Sequence, residues 1–183
     1  FNKKKKENPK INFLIHNYFP ASKNPFVLNL SSNNSEIKNK SIKLAKRAIK
    51  ISRKLGAKFY GFHAGFLIDP KIKSLGKTID YTSPPISRSL AQKNFIKSVI
   101  HLSKFAKKNK VDLLIENNVL SKKNYKMFGY NPLLFVDADE IKFIMKKIPK
   151  NVNILLDVAH LNVSSKTLKF NKLDFFKKCE KWT

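Results

Sequence analysis

Four apolar stretches in this chain each end on a residue able to bind a divalent cation. Ile11-Asn12-Phe13-Leu14-Ile15 runs into His16, and Lys58-Phe59-Tyr60-Gly61-Phe62 runs into His63, followed by Ala64-Gly65. Val111-Asp112-Leu113-Leu114-Ile115 runs into Glu116, and Val152-Asn153-Ile154-Leu155-Leu156 runs into Asp157, with His160 three positions on. Imidazole nitrogens and carboxylate oxygens without a thiolate suit Zn²⁺, Mn²⁺, Mg²⁺ or a similar ion. Taken singly, His16 or His63 has a plain alternative as a hydrogen-bonded histidine at the rim of a sheet. Asp157 with His160 also reads as a helix cap beside a stray histidine. Glu116 is harder to explain away, because a carboxylate after four apolar residues is costly to bury without a cation or donor. His, Asp and Glu together make up about one residue in eleven, so coincidence at four successive ends is a poor account. His101, mid-helix, is the remaining histidine and is assigned no role.

Elements must bring these ends together. Asn33 with Glu36 gives a capping-box-like start, and Ile42, Ala45, Ile49 and Ser52 recur at helical spacing until Gly56 closes the helix. A second helix is expected over about Arg88–Lys108, its buried face running from Leu90 to Phe105. Asp137 with Glu140 caps a short third helix before Pro149, and Asn171–Lys178 reads as a fourth. The segments 17–34, 66–87 and 117–136 read as irregular. Segment 66–87 is long enough to be functional, and it is expected to act as a lid. Strand and helix thus alternate four times, with short connections into strands and long ones out of them. That pattern calls for a parallel sheet with helices outside it, an α/β fold whose strand ends open on one face.

The chain has 183 residues, 42% hydrophobic, which is ample for one packed domain. Its net charge of +26 is nearly all lysine, with arginine only at Arg47, Arg53 and Arg88. Lysine spread along every predicted helix reads as solvated surface and compositional bias rather than as a nucleic-acid face. Lys3–Lys6 is expected to be a solvated lead-in. The single cysteine, Cys179, excludes an internal disulfide framework and a Cys-rich zinc site and points to a reducing compartment, with cytoplasmic placement expected. No apolar run approaches the roughly 18 residues of a membrane span, so no membrane partner is expected. Starting at Phe1 rather than Met, the chain is expected to be a fragment.

The motifs Ile15-His16, Phe62-His63-Ala64-Gly65, Leu114-Ile115-Glu116-Asn117 and Leu156-Asp157-Val158-Ala159-His160 occur in an order that resembles the xylose isomerase-like TIM-barrel superfamily. This superfamily contains sugar isomerases and epimerases and the endonuclease IV type of abasic-site nuclease. The resemblance implies a partial (β/α)8 barrel of about four units, strands two to five, over a single domain of residues 1–183 truncated at both ends. In the epimerase branch, residues matching Glu116 and Asp157 bind one divalent metal and the one matching His160 contacts substrate. In the nuclease branch, matches to His16, His63, Glu116, Asp157 and His160 help to hold three zinc ions.

Both histidines favour a multi-metal site, whereas Asn117-Asn118 and the long 66–87 segment depart from the nuclease pattern. Further ligands that both branches carry on later strands do not occur in this sequence, so the piece alone is expected to be poorly active. The resemblance therefore implies a metal-dependent sugar or sugar phosphate isomerase or epimerase, with Glu116 as ligand and possible base and His160 orienting a hydroxyl. The alternative is a zinc-dependent abasic-site nuclease with nucleic acid as its partner and with Tyr18 and Phe19 as a possible wedge. A degenerate barrel kept as a binding module is a third, weaker reading. Arg88 or Lys77 is the candidate to meet a phosphate.

Overall fold

A computed structural model describes residues 6–74 and 76–183; most of the Lys3–Lys6 run lies outside them. Four parallel strands form one sheet in chain order: β1 (Ile15–His16), β2 (Phe59–His63), β3 (Asp112–Glu116) and β4 (Val152–Leu155). Among the described residues six α-helices accompany them: α1 (Ser35–Leu55), α2 (Arg88–Lys108), α3 (Lys122–Phe128), α4 (Ala138–Met145), α5 (Val158–Leu168) and α6 (Lys172–Cys179). This is the parallel α/β order that the sequence pattern calls for and the partial barrel that the family resemblance implies. No described helix is long and apolar enough to cross a membrane.

The helices begin and end where local chemistry dictates. The cap of α1 is Asn34 rather than Asn33: its side chain accepts from the backbone N–H groups of Glu36 and Ile37, which no other group in the first turn satisfies. Gly56, at φ 70°, closes α1 with its N–H on Arg53 O, and Ala57 N–H returns to Ser52 O. Ser87 and Asp137 cap α2 and α4 in the same manner.

Three expectations change. Residues 11–14 do not join β1, because only Ile15 and His16 pair with Tyr60 and Gly61 before Asn17 turns the chain at φ 46°. Segment 117–136 contains α3, a short surface helix whose only buried residue is Asn124. Residues 158–168 form a full helix, α5, where the sequence suggests little more than a cap.

The pleat divides each strand into two faces. Tyr60, Phe62, Leu113, Ile115, Val152 and Ile154 face the helices and are at most 3% exposed. They pack with Ala45, Ile49, Phe95, Val99 and Leu102 in the main core. Fully burying one such side chain contributes about 1.5–3 kcal/mol. The opposite face, with His16, His63, Leu114, Asn153 and Leu155, is only half-buried. The near-continuous apolar runs thus have one fully covered face rather than two. A smaller cluster of Ile68, Ile79, Leu120, Leu133 and Val136 holds segment 66–87 against segment 117–136.

Candidate metal centre

Sheet register brings the five strand-end residues together. β2 and β3 pair His63 with Glu116 directly, and β1 and β2 pair His16 with Gly61, two residues before His63 and on the same face. Gly61 has a steric role here: a Cβ at that position would lie 3.2 Å from the His16 ring and 3.3 Å from Leu155. Its bare backbone leaves room for His16 to lean over β2.

Glu116 is the shared member, and it is buried. Its Oε2 accepts from His16 Nε2 at 2.5 Å and lies 3.4 Å from His63 Nδ1, while Oε1 lies 3.5 Å from His160 Nδ1. The His16 and His160 rings each stand 5.4 Å from that of His63. Two ligand triads result, His16–His63–Glu116 and Glu116–Asp157–His160, each with its donor atoms within 4.8 Å of one another.

Asp157 is also the N-cap of α5. Its Oδ1 accepts from His160 N–H at 2.8 Å, and Oδ2 lies 3.7 Å from His160 Nε2. Partial burial raises the Asp157 pKa, but the backbone N–H of His160, the His160 ring and the Ala159 N–H outweigh it and hold the carboxyl below its usual range. His160 Nδ1 lies 2.9 Å from the Asn117 carbonyl. A carbonyl only accepts, so Nδ1–H donates and neutral His160 keeps its lone pair on Nε2, the arrangement that orients a ligating or hydroxyl-binding histidine.

His63 supplies the test of whether a cation fits. Its Nδ1 is buried and has no hydrogen-bond partner, an omission that costs about 1–3 kcal/mol when nothing fills it. Burial, then the neighbouring His16 and His160 rings, lower its pKa despite the Glu116 carboxylate, so the ring is neutral near pH 7. A neutral, unpartnered nitrogen facing a shared carboxylate suits a divalent ion of the zinc, manganese or magnesium kind.

Two residues with positioning roles go unassigned in the sequence reading. Asn117 accepts from Asp157 N–H at 2.7 Å and donates to Asp157 O at 3.0 Å, tying the end of β3 to the end of β4. Asn118 donates to the carbonyls of Ala64 at 3.0 Å, Gly65 at 3.3 Å and Leu134 at 2.9 Å. The signal was available in their position: two amides immediately after a buried carboxylate.

Other expectations resolve as follows. Tyr18 and Phe19 are half-buried and packed against the core, with the Tyr18 hydroxyl accepting from Leu28 N–H at 3.2 Å, so they form part of the rim. Arg88 is committed elsewhere, to Glu140 at 2.7 Å and to the carbonyls of Asn131 and Leu133. It is not available to a phosphate. His101 is exposed on α2. Segment 66–87 does form one wall of the site: Phe66, Lys77 and Ile79 line a cavity of about 380 Å³ with Asn17, Tyr18, His63 and His160.

A parallel half-barrel with imidazoles and carboxylates gathered at its strand ends defines a class, the α/β barrels with a candidate site at the carboxyl ends of their strands. Residues 2–179 match the family described as xylose isomerase-like TIM barrel, and the chain belongs to that family. It is similar in structure to a D-tagatose 3-epimerase-like protein, with a TM-score of 0.69 and 17% identity over 97% of this chain and 54% of that one. It is also similar to 3-keto-D-glucoside 4-epimerase from E. coli, with a TM-score of 0.67 and 14% identity over 97% and 58% of the two chains. For D-psicose 3-epimerase from Clostridium cellulolyticum H10, solved with D-tagatose, the TM-score is 0.58 and identity 22%, over 85% and 46%. The chain therefore spans about half the length of these structures. No curated protein sequence matches it.

Proposed function

We propose that the chain carries the metal-binding part of a sugar isomerase or epimerase that moves a proton at the carbon beside a carbonyl. The observation that carries this reading is the convergence of His16, His63, Asp157 and His160 around the buried carboxylate of Glu116. Glu116 and Asp157 are the principal ligands in this reading, with His16 and His63 completing the set. A divalent cation bound there supplies Lewis acidity toward adjacent carbonyl and hydroxyl oxygens of a sugar. Glu116 accepts the proton from the carbon next to the carbonyl. His160, with Nδ1–H fixed on Asn117 O, offers Nε2 to a substrate hydroxyl. The cavity has the size of a small-molecule site, and in this reading residues 1–183 belong to a single barrel domain truncated at both ends.

The test is metal content together with solvent proton exchange. The full-length protein loaded with Mn²⁺ or Mg²⁺ is expected to bind one exchangeable ion and to incorporate deuterium beside the carbonyl of a ketose in D₂O. Glu116→Gln is expected to lose at least about tenfold in metal affinity, or about 1.4 kcal/mol, together with the exchange. Unchanged metal binding in that variant would sink the proposal.

One observation favours a second reading. His16 and His63 both lie on the same oxygen of Glu116, and that carboxylate is common to two ligand triads, as a multi-zinc abasic-site nuclease requires. Close to three zinc ions per chain, with nicking of abasic DNA, would decide for it.

A further inference from the structure

Beside the site cavity runs a second, more open groove of about 800 Å³. One wall is built from residues 71–74 and 76–80 and the other from the start of α3, Ser121 and Lys123. Four lysines line it: Lys71, Lys73, Lys77 and Lys123. Lys71 is paired with Asp80 at 2.7 Å, whereas no carboxylate pairs with Lys73, Lys77 or Lys123 among the described residues. The two walls are fixed to each other by a buried side chain. Asn124, 7% exposed, accepts from Ile79 N–H at 3.0 Å and donates to Lys77 O at 3.3 Å. Within the loop, Lys71 N–H to Asp80 O and Ser74 Oγ to the Lys71 and Asp80 carbonyls fix its shape. Gly76, Lys77 and Ser121 line both this groove and the site cavity, so the two spaces adjoin at these residues.

We infer that the groove is a subsite for a phosphate monoester carried by the sugar whose reacting carbon lies in the site cavity. Three uncompensated ammonium groups in a rigid concavity form a focused positive field. Lysine binds phosphate as a point charge, without the bidentate geometry of arginine. The general lysine excess of this chain is otherwise a solvated surface. Here four lysines line one space, and that space adjoins the cavity that holds His63 and His160. Lys77, at the junction, would sit between the sugar and the phosphate and so fix which carbon reaches Glu116. This assignment rests on the sugar reading above, but its test does not.

The test is calorimetric titration of EDTA-treated protein in about 50 mM salt, where exposed charges are weakly screened. Metal removal separates the outcome from the metal chemistry. D-fructose 6-phosphate is expected to bind at least about tenfold tighter than D-fructose, with inorganic phosphate competing. The variant Lys73→Gln/Lys77→Gln/Lys123→Gln is expected to lose that margin, while Lys43→Gln/Lys50→Gln, two exposed lysines on α1, keeps it. Equal binding of the two sugars, or equal losses in both variants, would overturn the subsite. Tighter binding of a short DNA duplex than of D-fructose 6-phosphate, lost in the groove variant, would give the groove to a phosphodiester backbone and overturn the small-molecule assignment. Failure of the proton-exchange assay with the phosphate margin intact would strike only the isomerase reading.

Discussion

His63 has a buried ring nitrogen with no hydrogen-bond partner, and that fixes how the fold responds to acid. Its folded pKa lies below the ordinary histidine value because burial and the two neighbouring imidazoles oppose a proton there. As pH falls through about 6.5 the unfolded chain therefore takes up a proton that the folded chain refuses. Stability is complete above that pH and declines below it, until the folded His63 also titrates. Without added metal, the urea midpoint is expected to drop between pH 7.5 and 5.5, and His63→Gln should flatten that drop. Parallel pH slopes in the two proteins would show that another group is responsible. At this scale the sequence was most legible: His16, His63, Glu116 and Asp157 each end an apolar run, His160 follows three positions after Asp157, and all five meet. Asn117, Asn118 and Gly61 were not legible, because their roles are to bridge carbonyls of other segments or to vacate space, and neither leaves a pattern along the chain.

Among the elements, α2 and α4 are joined by a buried carboxylate that no periodicity would flag. Glu140, on α4, accepts from Arg88 at 2.7 Å, from Gln92 at 2.8 Å and from the N–H of Phe135 at 2.8 Å. Phe135 itself sits at φ 64°, so Glu140 also holds an unfavourable backbone turn in place. Glu140→Ala leaves the Arg88 guanidinium without its ion partner and is expected to cost about 3 kcal/mol in urea unfolding, at the lower end for a broken buried pair because Arg88 is partly solvated. A loss below about 0.5 kcal/mol, the range of an ordinary surface substitution, would mean the pair is idle. The long helices α1 and α2 were readable because each has an apolar stripe and a capping residue. Helix α3 was not, since it buries only an asparagine and has no stripe to read. Helix α5 buries Leu161 with two serines, Ser164 and Ser165, and serine on a buried face looks like loop in a sequence.

For the molecule as a whole, alternation of strands with helices was enough to predict a parallel, barrel-like sheet, and the order of the metal-capable residues was enough to suggest the family. Closure of the last helix is less visible in the sequence. Helix α6 docks through Phe175 and Cys179, both at most 2% exposed. Burial, and then the nearby Asp139 carboxylate, push the Cys179 thiol up to about 11. The unfolded thiol ionises near 8.5, so this contribution is complete below that pH and is lost as pH rises toward 11. A disulfide reagent at pH 8 is expected to label Cys179 no faster than the chain unfolds, and labelling should accelerate in step with urea. Rapid labelling of native protein would show that α6 opens by itself.

The register that faces His63 with Glu116 also sets what sequence change this protein can survive. A one-residue deletion inside β2 or β3 would turn every later side chain of that strand to the opposite face, putting a core residue among the candidate ligands and His63 or Glu116 among Phe95 and Leu102. Changes of length in the loops between strands carry no such penalty. Segments 66–87 and 119–136 can change in length and charge while the ligand set, held by Asn117 and Asn118, stays in place. Drift in those two segments gives such a fold a way to reshape the cavity wall without re-inventing the strand-end constellation.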